Sequence, residues 1–209
     1  MGLTRKRFEI EEPTPELINK YAALFLQDES VSEKTVRLAF DNFGFDTVEE
    51  ILTKVIILNN RYNAGLNDYP SEKENTAVDV VSMAEYLFNN RGSFLGIQNV
   101  DGVILWIENC SRYFEKKTKP VSFLSKFCAF SFPEINVPIY DRYARGYLYY
   151  LNSVFPFFGR PFSQNELLSY GFFCEVFSAF ADKYGNGMNY KRLDEFIWCY
   201  AKKKGIMIG

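Results

Sequence analysis

The sequence predicts an all-α protein, and three observations carry that reading. Apolar residues return at three- and four-residue steps almost throughout, with no sustained alternation of the kind a strand would show. Capping and breaking residues fall at the ends of these periodic runs. Aromatics make up 18% of the 209 residues, with 21 Phe and 14 Tyr, which suits thick helix interfaces filled by large rings.

Thr14-Pro15-Glu16 opens a first helix as N-cap and first-turn proline, with Leu17, Ile18, Tyr21, Leu24 and Phe25 on its inner face. Ser32, followed by Lys34 and Thr35, leads a second through Val36, Leu38 and Phe40, which Gly44 stops. Thr47-Val48-Glu49-Glu50 starts a third, carrying Ile51, Val55, Ile56 and Leu58 as far as Asn59-Asn60, and Asn63–Ser71, with Gly65 and Pro70, forms a loop. A fourth spans about Glu74 to Phe88 before Asn89-Asn90-Arg91-Gly92 breaks it, and a fifth covers about Val100 to Glu115.

Prolines punctuate the second half of the chain. Pro120 precedes a Val121–Phe130 helix, Pro133 follows it, and Pro138 precedes a helix over Ile139–Leu151. After a turn with Pro156, Gly159 and Pro161, Ser163 with Glu166 three residues on forms a capping box for the next helix. The last, Tyr190–Lys203, follows Gly185-Asn186-Gly187. No internal repeat or strong boundary divides the chain, so residues 1–209 read as one helical domain, with possible subdomains 30–118 and 1–29 plus 119–209.

Composition excludes several kinds of chemistry. Without histidine there is no Ser-His or Cys-His triad, no imidazole metal site and no imidazole proton shuttle. Cys110, Cys128, Cys174 and Cys199 lie far apart, with no CxxC spacing for zinc or an iron–sulfur cluster, and read as reduced core residues. Gly92, Gly96 and Gly102 form no phosphate loop. No metal and no cofactor are expected.

Met1–Arg7 is not followed by the apolar stretch of a signal peptide, and no apolar run reaches spanning length. The expectation is a monomer without membrane contact in the cytoplasm, associated with the nucleoid in a prokaryote or nuclear in a eukaryote. The net charge of −2 gives no general attraction to polyanions. Charge is nevertheless uneven, with an acidic N-terminal third and basic residues at Arg112, Lys116, Lys117, Lys119 and Lys126 and again at Lys191, Arg192, Lys202, Lys203 and Lys204. These are either two basic patches on one face or ordinary solvated lysines.

One pair resembles a reaction centre. Lys126 lies on the Val121 helix among Phe123, Leu124, Phe127 and Phe130, nearer the edge of its apolar side. An amine beside bulky rings is disfavoured as ammonium and so becomes available as a nucleophile. Asp141, in PIYDRYARGYL, falls in the first turn of the next helix, where the dipole favours a carboxylate. The plainer alternative is a lysine snorkelling over phenylalanine rings and a helix-terminal aspartate paired with Arg145. Asn59-Asn60-Arg61-Tyr62 is either a helix stop or a group suited to a DNA minor groove, with Asn60 as its reaching amide.

The stretch SFLSKFCAF…VPIYDRYARGYL resembles the catalytic segment of 8-oxoguanine DNA glycosylases of the helix–hairpin–helix superfamily, and RLDEFIWCYAKKKG is similar to the C-terminal segment of their smaller microbial members. The two matches cover about a quarter of the chain. The resemblance implies two helical subdomains flanking a cleft and a damaged double-stranded DNA substrate. In it Lys126 attacks the deoxyribose C1′, releases the oxidised base and forms a Schiff base that permits β-elimination, while Asp141 steers protons and stabilises the cationic sugar.

Further roles follow from the same resemblance. Ser122, Ser125, Arg142 and Arg145 would contact DNA, and Trp198 with Asp194 would border the pocket for the flipped base; Lys119, closing the basic stretch that leads into the Val121 helix, is read from the sequence itself as either facing phosphate or belonging to a solvated helix end. The chain departs from the family pattern in three places. Ser122-Phe123-Leu124-Ser125 stands where a Gly-x-Gly hairpin turn is usual, Tyr143 follows Asp-Arg where histidine is common, and the interval from Lys126 to Asp141 is short.

Overall fold

The computed structural model describes residues 8–67, 78–114 and 120–208, without the side chains of residues 28–30 and 32. Among the described residues it is all-α, and the one β-type contact is an isolated bridge between Asn67 and Asp79. Among the described residues nine α-helices run in the order α1 (Pro15–Asn42), α2 (Val48–Tyr62), α3 (Val80–Asn89), α4 (Arg91–Leu95), α5 (Val100–Tyr113), α6 (Val121–Ser131), α7 (Arg142–Val154), α8 (Tyr170–Tyr184) and α9 (Tyr190–Lys204), with a 3-10 turn at Glu166–Leu168 before α8. No described helix is long and apolar enough to cross a membrane.

Several expected boundaries shift. Helix α1 runs through the position of Ser32 without a break, because nothing between Gln27 and Thr35 is a glycine or proline that would end it. The Ser163 capping box does form, with Ser163 N donating to Glu166 Oε2 at 2.7 Å and Glu166 N donating to Ser163 Oγ at 3.2 Å. It leads only into the 3-10 turn, and α8 starts later on its own cap, Ser169. The break at Asn89–Gly92 is shorter than expected, since α4 begins at Arg91. Helix α3 starts at Val80, where the Asp79 side chain accepts from Ser82 N at 2.8 Å; the expected start near Glu74, the end of the loop from Asp68 to Ser71, and Glu115 lie outside the described residues.

The chain divides into two compact units, one of residues 1–28 and 141–209 and the other of residues 29–140. In the first, α7 packs on α9 and on α8. Its core surrounds Tyr147, fully buried, with ring centroids of Phe196, Tyr200 and Phe180 at 5.5, 5.6 and 6.0 Å. Glu11 and Ile208 are fastened here. Tyr200 Oη accepts from Glu11 N at 2.8 Å, and Ile208 N donates to Arg142 O at 3.2 Å. Gly146 permits the second contact, because a Cβ there would meet Met207 Cα at 2.9 Å.

In the second unit α2 packs on α3 and α6, and α5 packs on α6. Ile51, Val55, Leu58, Met83, Leu87, Phe94, Ile107, Phe123, Leu124 and Phe127 form the core, each 1% exposed or less. Thr47 closes a full capping box with Glu50 at the start of α2, and Asn63 in the left-handed region ends it. Asn59, buried near that end, donates from Nδ2 to Leu66 O at 3.1 Å and accepts from Leu66 N at 3.1 Å, which fixes the exit from the helix.

Candidate functional site

Helix α6 of the second unit carries the candidate nucleophile. Its sequence VSFLSKFCAFS is apolar on nearly every side, so the helix is buried almost all round rather than along one stripe. Lys126 is therefore drawn inward, to 5% exposure, instead of sitting at the edge of the apolar side. Its Nζ donates to Ser122 Oγ at 3.0 Å and to Ser122 O at 3.4 Å, one helical turn back. A hydroxyl and a carbonyl so placed replace part of the ammonium's lost hydration.

Ser125 is fully buried. Its hydroxyl donates to Ser122 O at 3.2 Å and accepts from Tyr140 N at 3.0 Å, fixing the end of the Phe132–Tyr140 connection to the middle of α6. Ser122, Ser125 and Lys126 thus form one hydrogen-bonded group, and the backbone across them is helical, with Leu124 N donating to Pro120 O at 2.9 Å. Asn60 lies in the same unit, exposed near the end of α2. Lys119, with Lys116 and Lys117, lies outside the described residues.

Asp141 belongs to the first unit, and its position differs from expectation. It is the N-cap of α7, not a residue of its first turn, because its backbone is extended at φ −147° and ψ 175°. Oδ1 accepts from both Tyr143 N and Ala144 N at 2.8 Å. The next two residues present a cation and a ring: Arg142 is exposed, with its guanidinium 5.1 Å from the centre of the Tyr143 ring.

Trp198 on α9 joins that group. Its ring lies edge-on to Tyr143 at 6.1 Å and to Phe25 at 5.4 Å, and Lys202 Nζ stands 4.0 Å over it. Lys191 Nζ lies 5.4 Å from the Phe25 ring. Tyr143, Trp198 and Phe25 therefore make a run of three rings in the first unit, with one cation near each: Arg142, Lys202 and Lys191. Asp194, one turn before Trp198, is buried at 7% exposure, and Arg145 is half-buried on α7. Lys204 pairs with Glu11 at 3.3 Å, and the ionisable phenol of Tyr200 together with the Glu11 carboxylate raises its pKa. An open depression of about 330 Å³ at the start of α9 is lined by Met188, Asn189, Lys191, Arg192 and Glu195.

Two features bound the chemistry. Among the described residues no group of three or more acidic or cysteine side chains could hold a metal ion. The four cysteines form no disulfide and are buried, and burial pushes Cys110 and Cys174 up to about 12, leaving those two protonated and unreactive. Sequence reasoning passed over Lys54, a second buried lysine, and the roles of Asn59 and Ser125 as fasteners across 7 and 15 residues. Comparison of the chain with protein-family models, with curated proteins and with solved structures found no match.

Proposed function

We propose that this protein is a DNA glycosylase with associated lyase activity, of the helix–hairpin–helix kind, that removes an oxidised purine such as 8-oxoguanine from double-stranded DNA. Lys126 supplies the amine. Its lone pair forms a bond to C1′ of the deoxyribose as the C1′–N9 bond breaks and the base leaves with its electrons, taking up a proton. Opening of the sugar gives a Schiff base on Nζ, and loss of the C2′ proton then expels the 3′ phosphate by β-elimination.

The observation that carries this reading is the burial of Lys126 on an apolar helix with Nζ directed onto the Ser122 hydroxyl. A lysine kept for charge alone would gain more from an exposed position. The run of rings with their cations in the first unit supports the DNA half of the proposal, since arginine and lysine neutralise phosphates and aromatic side chains take up an unstacked base. In this reading Arg142 holds a phosphate and Trp198 borders the base.

A second reading has one observation behind it. Residues 122–125 are the first turns of α6, and Ser125 is buried, so this stretch offers no open glycine turn to a phosphate. That favours a helical module of the same kind that binds nucleic acid or a protein partner without catalysis. Incubation with a duplex carrying a single 8-oxoguanine separates the two. The enzyme reading expects strand scission at the lesion that is lost in Lys126→Gln, whereas binding at low salt without scission supports the module. Absence of low-salt binding removes both nucleic-acid readings.

A further inference from the structure

Lys54 is 1% exposed in the middle of α2, on the side that also buries Ile51, Val55 and Leu58. Its Nζ stands 3.7 Å from the centre of the Phe45 ring and 5.1 Å from that of Phe40. Among the described residues it makes no hydrogen bond or ion pair. An ammonium in this position is held by the faces of two rings instead of by oxygen, an arrangement that favours the charged form far less than water does.

The rings lead further. Phe45, in the connection between α1 and α2, lies 5.4 Å from Phe94 and 6.2 Å from Phe127, and Phe40 lies 5.2 Å from Phe127. Phe127 is fully buried on α6 and adjoins Lys126 in the chain. Two acidic groups act on Lys54, Glu50 one turn earlier on α2 and Asp41 near the end of α1. The Glu50 carboxylate is already committed to the α2 cap, accepting from Gly44 N at 3.2 Å and from Asp46 N and Thr47 N at 3.1 Å. It attracts the ammonium across space without meeting it.

We propose that Lys54, Phe40 and Phe45 form a proton-operated latch in the second unit: the ammonium holds the two rings, and loss of its proton changes how they seat against Phe127 on α6. Burial supports the device by lowering the lysine to about 8, against an ordinary 10.5, with Glu50 and Asp41 acting in the opposite direction. The latch therefore changes state within mildly alkaline solution, where an exposed lysine would stay charged. Nothing in this inference depends on the chemistry assigned to Lys126.

The test is a pH titration of the full-length protein by NMR, following the lysine ε-carbons and the phenylalanine ring signals, with Lys54→Met assigning the Lys54 resonance. The expected result is a Lys54 midpoint near 8, with Phe45 and Phe127 ring signals moving at the same midpoint and losing that movement in the variant. An ordinary lysine midpoint overturns the proposal, as do Phe45 and Phe127 signals that ignore the Lys54 transition. Should Lys54→Met fail to fold, Lys54→Arg makes the assignment, and the titration of the unaltered protein still decides the outcome.

Discussion

Replacing Ser125 with alanine tests the group that surrounds the candidate nucleophile. The hydroxyl makes two hydrogen bonds in a fully buried position, accepting from Tyr140 N at 3.0 Å and donating to Ser122 O at 3.2 Å. Each is worth about 0.5–1.5 kcal/mol net, so the loss is about 1–3 kcal/mol. The better helix propensity of alanine returns about 0.5 kcal/mol of that. The remaining loss of about 0.5–2.5 kcal/mol corresponds to roughly 2- to 70-fold in an opening equilibrium. Hydrogen exchange at the Tyr140 amide reads it directly, and this amide should lose protection by that factor while amides of α8 keep theirs. An unchanged rate at Tyr140 would refute the claim that the serine hydroxyl fixes this connection to α6.

Gly146→Ala places a methyl 2.9 Å from Met207 Cα, where only backbone movement makes room. The expected cost is about 1–3 kcal/mol in chemical denaturation, with freer exchange at Ile208; wild-type stability would contradict the close approach. Asp141→Ala removes the α7 cap and should cost about 0.5–2 kcal/mol, while Asp141→Asn keeps most of that stability, so equal losses in the two variants would argue against capping. For Lys54 the folded pKa lies below the unfolded one. Its contribution is therefore least favourable below about pH 8 and improves as pH rises toward 10.5, at about 1.4 kcal/mol per pH unit and about 3 kcal/mol in all. Wild-type stability measured against Lys54→Met should show that rise, and parallel curves would count against it.

Local signals in the sequence carried most of the helix assignment. Thr14-Pro15 and the Thr47–Glu50 box state a helix start within four residues, and both starts appear where those residues stand. The failures share a cause. Ser32 has the chemistry of a cap but no breaker before it, so the helix continues through. Ser163 does close its box, yet the next turn is 3-10. Asp141 differs by three positions, expected third in a helix from Ile139 and found as the N-cap of one from Arg142, because its own backbone is still extended.

The candidate site was legible as residue types and illegible as burial. Phe123, Leu124, Phe127 and Phe130 taken as one face put Lys126 at its edge, whereas Val121, Ser125 and Cys128 are buried as well. Lys54 is buried beside Ile51, Val55 and Leu58 although its residue type suits an exposed position. What encloses it, Phe40 and Phe45, arrives from the end of α1 and the turn beyond, and no periodicity within α2 records that. Links such as Ser125 to Tyr140 likewise depend on contacts across the chain.

The central claim is that the Lys126 amine attacks the sugar of a damaged nucleotide. Borohydride reduction during incubation with an 8-oxoguanine duplex, followed by peptide mapping of the adduct, tests it most directly. The account predicts a stable protein–DNA cross-link on Lys126 that is absent from Lys126→Gln. A cross-link that persists in Lys126→Gln, or no cross-link from a folded protein that binds the duplex, would contradict it.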